Sequence, residues 1–73
     1  MEGSVYKTVE VVGTSKTSFE DAVKGVVEIA SKSLDDLRVA EVVRQDMTID
    51  DNGKVTGYRV RLTLSFKYRT GKA

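Results

Sequence analysis

Val39-Ala40-Glu41-Val42-Val43-Arg44-Gln45-Asp46-Met47-Thr48-Ile49, the turn Asp50-Asp51-Asn52-Gly53-Lys54 and the run from Val55 to Tyr68 decide the fold. The turn carries Asn-Gly, two residues that tolerate the positive φ angles of a tight type I′ hairpin. With Asn52-Gly53 as a two-residue loop, Asp46 falls opposite Arg59, Val39 opposite Phe66 and Arg44 opposite Arg61. The last is a like-charge pair, which disfavours the register locally unless a bulge or a neighbouring acid resolves it. The second arm alternates cleanly. Tyr58, Val60, Leu62, Leu64 and Phe66 share one face, and Arg59, Arg61, Thr63, Ser65 and Lys67 share the other, as in a half-buried strand. The first arm does not alternate. Val39, Ala40, Val42, Val43, Met47 and Ile49 cover both parities, and a strand apolar on both faces expects cover on both.

Upstream, Val5-Tyr6-Lys7-Thr8-Val9-Glu10-Val11-Val12 is rich in β-branched residues and reads as a strand ending at Gly13. A short polar link, Gly13-Thr14-Ser15-Lys16, leads to a helix. Thr17 and Glu20 have capping-box spacing. From there Phe19, Ala22, Val23, Val26, Ala30, Ser33 and Leu34 recur at steps of three and four, one stripe of an amphipathic helix that fades near Asp35-Asp36. Glu20–Lys24 and Glu28–Lys32 are i,i+4 pairs in the favourable order. Gly25 interrupts the helix, at about 1 kcal/mol relative to alanine. The order is β-α-β-β, an α+β domain.

The chain has 73 residues, room for one domain spanning 1–73, with an ordered core over about 4–68 and a frayed tail over 69–73. A chain this short buries only about 60% of its unfolded surface. Disulfides, a metal or self-association are the usual remedies. There are no cysteines and no histidines, so disulfides, thiolate metal sites and the commonest zinc ligand and general base are excluded. One helix cannot shelter both faces of the third segment, so association with further copies is expected.

Twelve basic residues against eleven acidic give no basic surplus for nucleic acid or an anionic membrane. No apolar run approaches the ~20 residues that span a bilayer. Met1-Glu2-Gly3-Ser4 lacks the basic and apolar regions of a signal peptide, so a cytoplasmic protein is expected. The serines have no histidine or cysteine partner for nucleophilic catalysis. The Gly13–Ser18 loop lacks the Gly-Lys-Ser/Thr order of a phosphate-binding loop, and capping explains it. Asp35-Asp36 at the helix end and Asp50-Asp51 at the hairpin tip supply oxygen ligands suited to calcium. Turn chemistry accounts for Asp50, Asp51 and Asn52 without a metal. Arg59, Arg61 and Lys67 form a basic row, with Glu10, Glu41 and Asp46 on neighbouring strands to pair with it.

Val5-Tyr6-Lys7, then Val9-Glu10-Val11-Val12-Gly13-Thr14-Ser15, one helix, Leu37 to Val42 and a last strand ending Ser65-Phe66-Lys67 resemble the dodecin family over nearly the whole chain. The resemblance implies a three-stranded antiparallel sheet wrapped around one helix and a hollow homo-dodecamer. It also implies a non-enzymatic role in holding a small ligand. Flavin-binding dodecins stack flavin (FMN, FAD or riboflavin) on a tryptophan and bond it through a glutamine. Here their Leu-Asp-Trp-Phe-Glu-Val string reads Leu37-Arg38-Val39-Ala40-Glu41-Val42, so Val39 stands at the tryptophan position. Arg59 stands at the glutamine position, and Asp46 near a family arginine linked to coenzyme A. All three cofactor-binding positions are substituted. Asp35-Asp36-Leu37-Arg38-Val39-Ala40, Gln45-Asp46-Met47 and Ser65-Phe66-Lys67 resemble the calcium dodecin branch. That implies calcium in place of flavin; the candidate metal ligands remain the acidic clusters read above, Asp35, Asp36, Asp50 and Asp51. Two alternatives stand beside it: flavin bound in a divergent pocket, and a protein-interaction module using the basic face of the last strand.

Overall fold

A computed structural model describes residues 4–68. It contains β1 (Tyr6–Ser15), α1 (Phe19–Ser33), β2 (Leu37–Ile49) and β3 (Val55–Lys67). The sheet order is β1-β3-β2, with β3 antiparallel to both neighbours. The expected β-α-β-β order and three-stranded antiparallel sheet are therefore present. The expected tail over 69–73 lies outside the described residues.

β3 is central because its alternation gives one face to the helix. Val60, Leu62 and Leu64 are fully buried, together with Ala22 and Ala30 of the helix stripe. Val11, Phe19, Val23, Val26, Leu34 and Leu37 pack around them. Phe19 meets Tyr58 edge-on, with ring centroids 5.1 Å apart. Burying each large aliphatic side chain stabilises the fold by about 1.5–3 kcal/mol.

β1 runs past Gly13 instead of stopping there: Gly13, Thr14 and Ser15 pair with Val60, Arg59 and Tyr58. A Cβ at Gly13 would collide with the Val26 side chain and the Ala22 carbonyl. The glycine lets the helix lie close on the strand, so here it marks contact and not a strand end. The helix is capped by Ser18, one residue later than the Thr17 expectation. Ser18 Oγ accepts from the Asp21 amide at 3.0 Å. Ser15 Oγ displaces Thr17 from the role by accepting from the Thr17 amide at 2.9 Å and donating to Asp21 Oδ2 at 2.7 Å. Lys24 reaches Glu20 at 3.7 Å. Among the described residues Glu28 and Lys32 form no ion pair, as suits two exposed side chains whose pairing is weak.

The hairpin differs from the two-residue expectation. The Asp50 amide donates to the Lys54 carbonyl (2.9 Å), and the Gly53 amide donates to the Asp50 carbonyl (3.0 Å). Only Gly53 of the Asn-Gly pair has positive φ, at 80°. The loop is therefore three residues with a left-handed glycine, the second commonest hairpin type. A slip between Thr48 and Ile49 then restores the alignment of Asp46 with Arg59 and of Arg44 with Arg61. A further slip between Val42 and Arg44 places Val39 opposite Ser65, not Phe66. Bulges of this kind concentrate on edge strands, and β2 is one.

The molecule measures 57 × 20 × 14 Å, with a radius of gyration of 15.5 Å, against about 11 Å for a compact chain of this length. Its accessible surface is 5740 Å², about 1,300 Å² more than a compact monomer of this mass exposes. Every residue from Arg38 to Ile49 is exposed, including Val39, Val42, Val43 and Met47.

Candidate functional site

The face of the sheet turned away from the helix carries the residues singled out above. Cross-strand partners share a face, so the register sets their rows. Thr14, Arg59 and Asp46 form one row, and Val12, Arg61 and Arg44 the next. Glu10, Thr63 and Glu41 follow, then Thr8, Ser65 and Val39.

Asp46 and Arg59 form a two-pronged ion pair. Arg59 Nε donates to Asp46 Oδ1 at 2.7 Å, and Arg59 Nη2 to Oδ2 at 3.0 Å. This planar fork-to-carboxylate geometry is the strong form of the contact. Hydrogen bonding by Arg59 holds the Asp46 carboxyl below its usual pKa, aided by the charges of Arg59, Arg61 and Arg44 and opposed by desolvation. The same hydrogen bond raises Arg59. Two of the three substituted positions are thus satisfied by each other. Val39, 52% exposed, stands six positions along β3 from Arg59, about 20 Å at strand rise. One chain does not bring all three together. With an aliphatic side chain at the stacking position and the Arg59 fork occupied, these residues do not fit a tryptophan-and-glutamine flavin site.

The carboxylate pairs lie at opposite ends of β3. The Asp36 carbonyl accepts from the Lys67 amide at 3.0 Å, at the far end of the strand. Asp50 closes the turn before its start. Thirteen residues of strand separate them by about 40 Å. Asp50 Oδ1 already accepts from the Asn52 and Lys54 amides, at 2.8 and 3.0 Å. Asp36 takes a left-handed φ of 61°, and its Oδ1 accepts from Arg38 at 3.1 Å. Asp35 and Asp36 border an open hollow whose rim also holds Lys7 and Lys67. Among the described residues no group of three or more histidine, cysteine, aspartate or glutamate side chains is placed to hold a metal ion. Calcium takes six to eight oxygens, so the carboxylates of a single copy do not complete such a shell. No helix among the described residues is long and apolar enough to cross a membrane.

Two features of this region were not located from the sequence: the bulge at Val43, which resets β2 yet leaves Arg44 opposite Arg61, and the left-handed Asp36 that joins the helix end to β3 through Lys67. An Asp-Asp pair just past a fading helix was the available signal for the second, since aspartate tolerates that conformation better than most residues.

A family model described as Dodecin matches residues 5–69. The calcium dodecin of Mycobacterium tuberculosis is 52% identical over 66 residues, which cover 90% of this chain and 92% of that protein. A crystal structure of a calcium dodecin from Mycobacterium tuberculosis, described as calcium chelating with a novel calcium-binding site, superposes with a TM-score of 0.77 at 47% identity. The match covers 96% of this chain and 99% of that one. The dodecin of Streptomyces coelicolor superposes with a TM-score of 0.86 at 35% identity, covering 97% of this chain and all of the other.

Proposed function

Because this chain belongs to the dodecin family, we propose that it is a subunit of a homo-oligomeric shell, a dodecamer, that holds calcium where subunits meet and catalyses no reaction. The observation that carries the shell is β2, whose Ala40, Val42 and Met47 on the helix side of the sheet and Val39 on the outer side all stay exposed. The surface excess of about 1,300 Å² over a compact monomer is more than one partner's ~800 Å² share of a standard interface. Copies of the chain are the cover that its own helix does not provide.

Calcium is favoured over flavin for two reasons. The calcium dodecin of Mycobacterium tuberculosis shares 52% identity with this chain, and Val39 with the closed Asp46–Arg59 pair leaves neither a stacking ring nor a free ring-edge donor. Asp35, Asp36, Asp50 and Asp51 are the proposed carboxylate sources. Asp35 and Asp51 form no hydrogen bond or ion pair among the described residues, so they are the ones free to bridge copies. A complete oxygen shell then draws on more than one subunit.

Light scattering during size-exclusion chromatography tests the shell. One large species that persists on dilution is expected, and a folded monomer at all concentrations would end the proposal. Calorimetric titration with calcium and, separately, with riboflavin tests the ligand. Heat with calcium alone is expected, whereas heat with riboflavin alone would reverse the assignment.

A further inference from the structure

The like-charge pair on the outer face has no role in that reading. Arg44 and Arg61 are direct cross-strand partners, beside the bulge that resets β2. Like charges opposite each other destabilise a sheet, and the nearest acid, Asp46, attracts both arginines through its charge but hydrogen-bonds neither. Both oxygens of Asp46 are taken by Arg59. Glu10 and Glu41 stand in the next row opposite Thr63. Among the described residues neither arginine forms an ion pair. The notch between them is lined by Val12, Arg44, Asp46, Arg59, Val60 and Arg61. Three guanidiniums against one carboxylate leave it with two positive charges in excess, while the whole chain carries only +1.

We infer that Arg44 and Arg61 form a two-armed clamp for a small dianionic oxyanion, with inorganic phosphate its simplest ligand. Guanidinium forks are planar, always charged and matched to phosphate oxygens. Two of them, cross-strand partners lining one notch, could both donate to one tetrahedral ion. Val12, the third member of the row, adds an apolar wall that lowers the local screening. A dianion neutralises the local excess and turns the repulsive pair into a bridge between β2 and β3. The Asp46–Arg59 pair bounds the site on one side and keeps Arg59 out of the clamp.

The test uses the assembled protein in calcium-free buffer, which separates its outcome from that of the calcium proposal. Thermal unfolding and calorimetry are followed while inorganic phosphate is added, with sodium chloride at matched ionic strength as reference. Saturable stabilisation by phosphate and not chloride is expected. Arg44→Gln and Arg61→Gln should each weaken the apparent affinity at least tenfold, while Lys67→Gln, on the same face but four rows from Asp46, leaves it unchanged. Without phosphate the two glutamine variants should unfold no earlier than the wild type, because they remove a repulsion. An equal response to chloride would overturn the inference, as would an unchanged phosphate response in both variants. So would loss of assembly on Arg61→Gln irrespective of phosphate, since the arginine would then be answered by a carboxylate of a second copy.

Discussion

Leu62 and Val42 face each other across the β2–β3 ladder and point to the same side of the sheet, yet Leu62 is 0% exposed and Val42 44%. Both are aliphatic, both lie mid-strand, and both strands are 13 residues long. What separates them is position. β3 lies between two neighbours and beneath α1, whereas β2 is an edge that the helix leaves exposed from Arg38 to Ile49. Composition told that both strands want cover. Only the sheet order tells which one the chain covers by itself.

The largest expected effect breaks this comparison at its centre. Leu62→Ala removes a fully buried side chain from the region where Val60 and Leu64 are also sealed, and a substitution of this type costs about 2–5 kcal/mol. Its thermal midpoint should fall by about eight degrees or more at roughly 4–8 °C per kcal/mol. Val42→Asp, its cross-strand counterpart, should behave differently. In a lone chain an exposed substitution stays within about 0.5 kcal/mol, but in a shell it places a charge in a subunit contact. Light scattering should then show the large species lost while circular dichroism still reports sheet and helix. A large species indifferent to Val42→Asp would place β2 outside any interface.

A smaller effect sharpens the same contrast in the helix. Gly13 and Gly25 look alike in the sequence, but Gly13 carries the close approach of Val26 while nothing lies within 4 Å of a Cβ built on Gly25. Gly13→Ala overpacks the strand–helix contact and should destabilise by about 1–3 kcal/mol. Gly25→Ala should stabilise by up to about 1 kcal/mol on helix propensity alone. Gly25 borders the open groove between α1 and β1, beside Val26 and the exposed Ile29. Denaturant midpoints decide between the two environments. A Gly25→Ala variant that loses stability only when assembled would show that a second copy approaches the groove there.

What was legible in the sequence follows the same division. The alternation of β3 and the three-and-four spacing of the helix are signals of burial within one chain, and both segments pack as that spacing implies, save Ser33 of the stripe, which stays exposed at the helix end. Thr17 was misread for Ser18 because two hydroxyls are followed in tandem by two acids, Glu20 and Asp21, so spacing alone fits either pair. The choice fell to Ser15, whose hydroxyl captures the Thr17 amide. The Asp46–Arg59 alignment was reached through a two-residue loop that the chain does not form. A three-residue loop and a one-residue slip offset each other, and no local pattern announces either. The candidate calcium ligands were legible as turn-forming acids, but the sequence does not show that within one chain the two pairs stand about 40 Å apart.

The smallest effect concerns the ion pair that stitches the two strands together. Arg59 lowers the Asp46 carboxyl pKa in the folded chain, so folding favours the ionised form. The pair's contribution is complete above the ordinary aspartate range and is lost as pH falls through the depressed folded value, where both states bind the proton alike. Arg59, raised further above its ordinary value, keeps its charge throughout. Unfolding midpoints followed from neutral to acid should therefore decline for the wild type, with a part of that decline missing in Asp46→Asn. The two curves should converge at the acid end, because protonation removes from the wild type what the substitution removed from the variant. Curves that stay parallel would mean that the contact contributes nothing that depends on charge, leaving β2 attached to β3 by its ladder and by whatever covers its outer face.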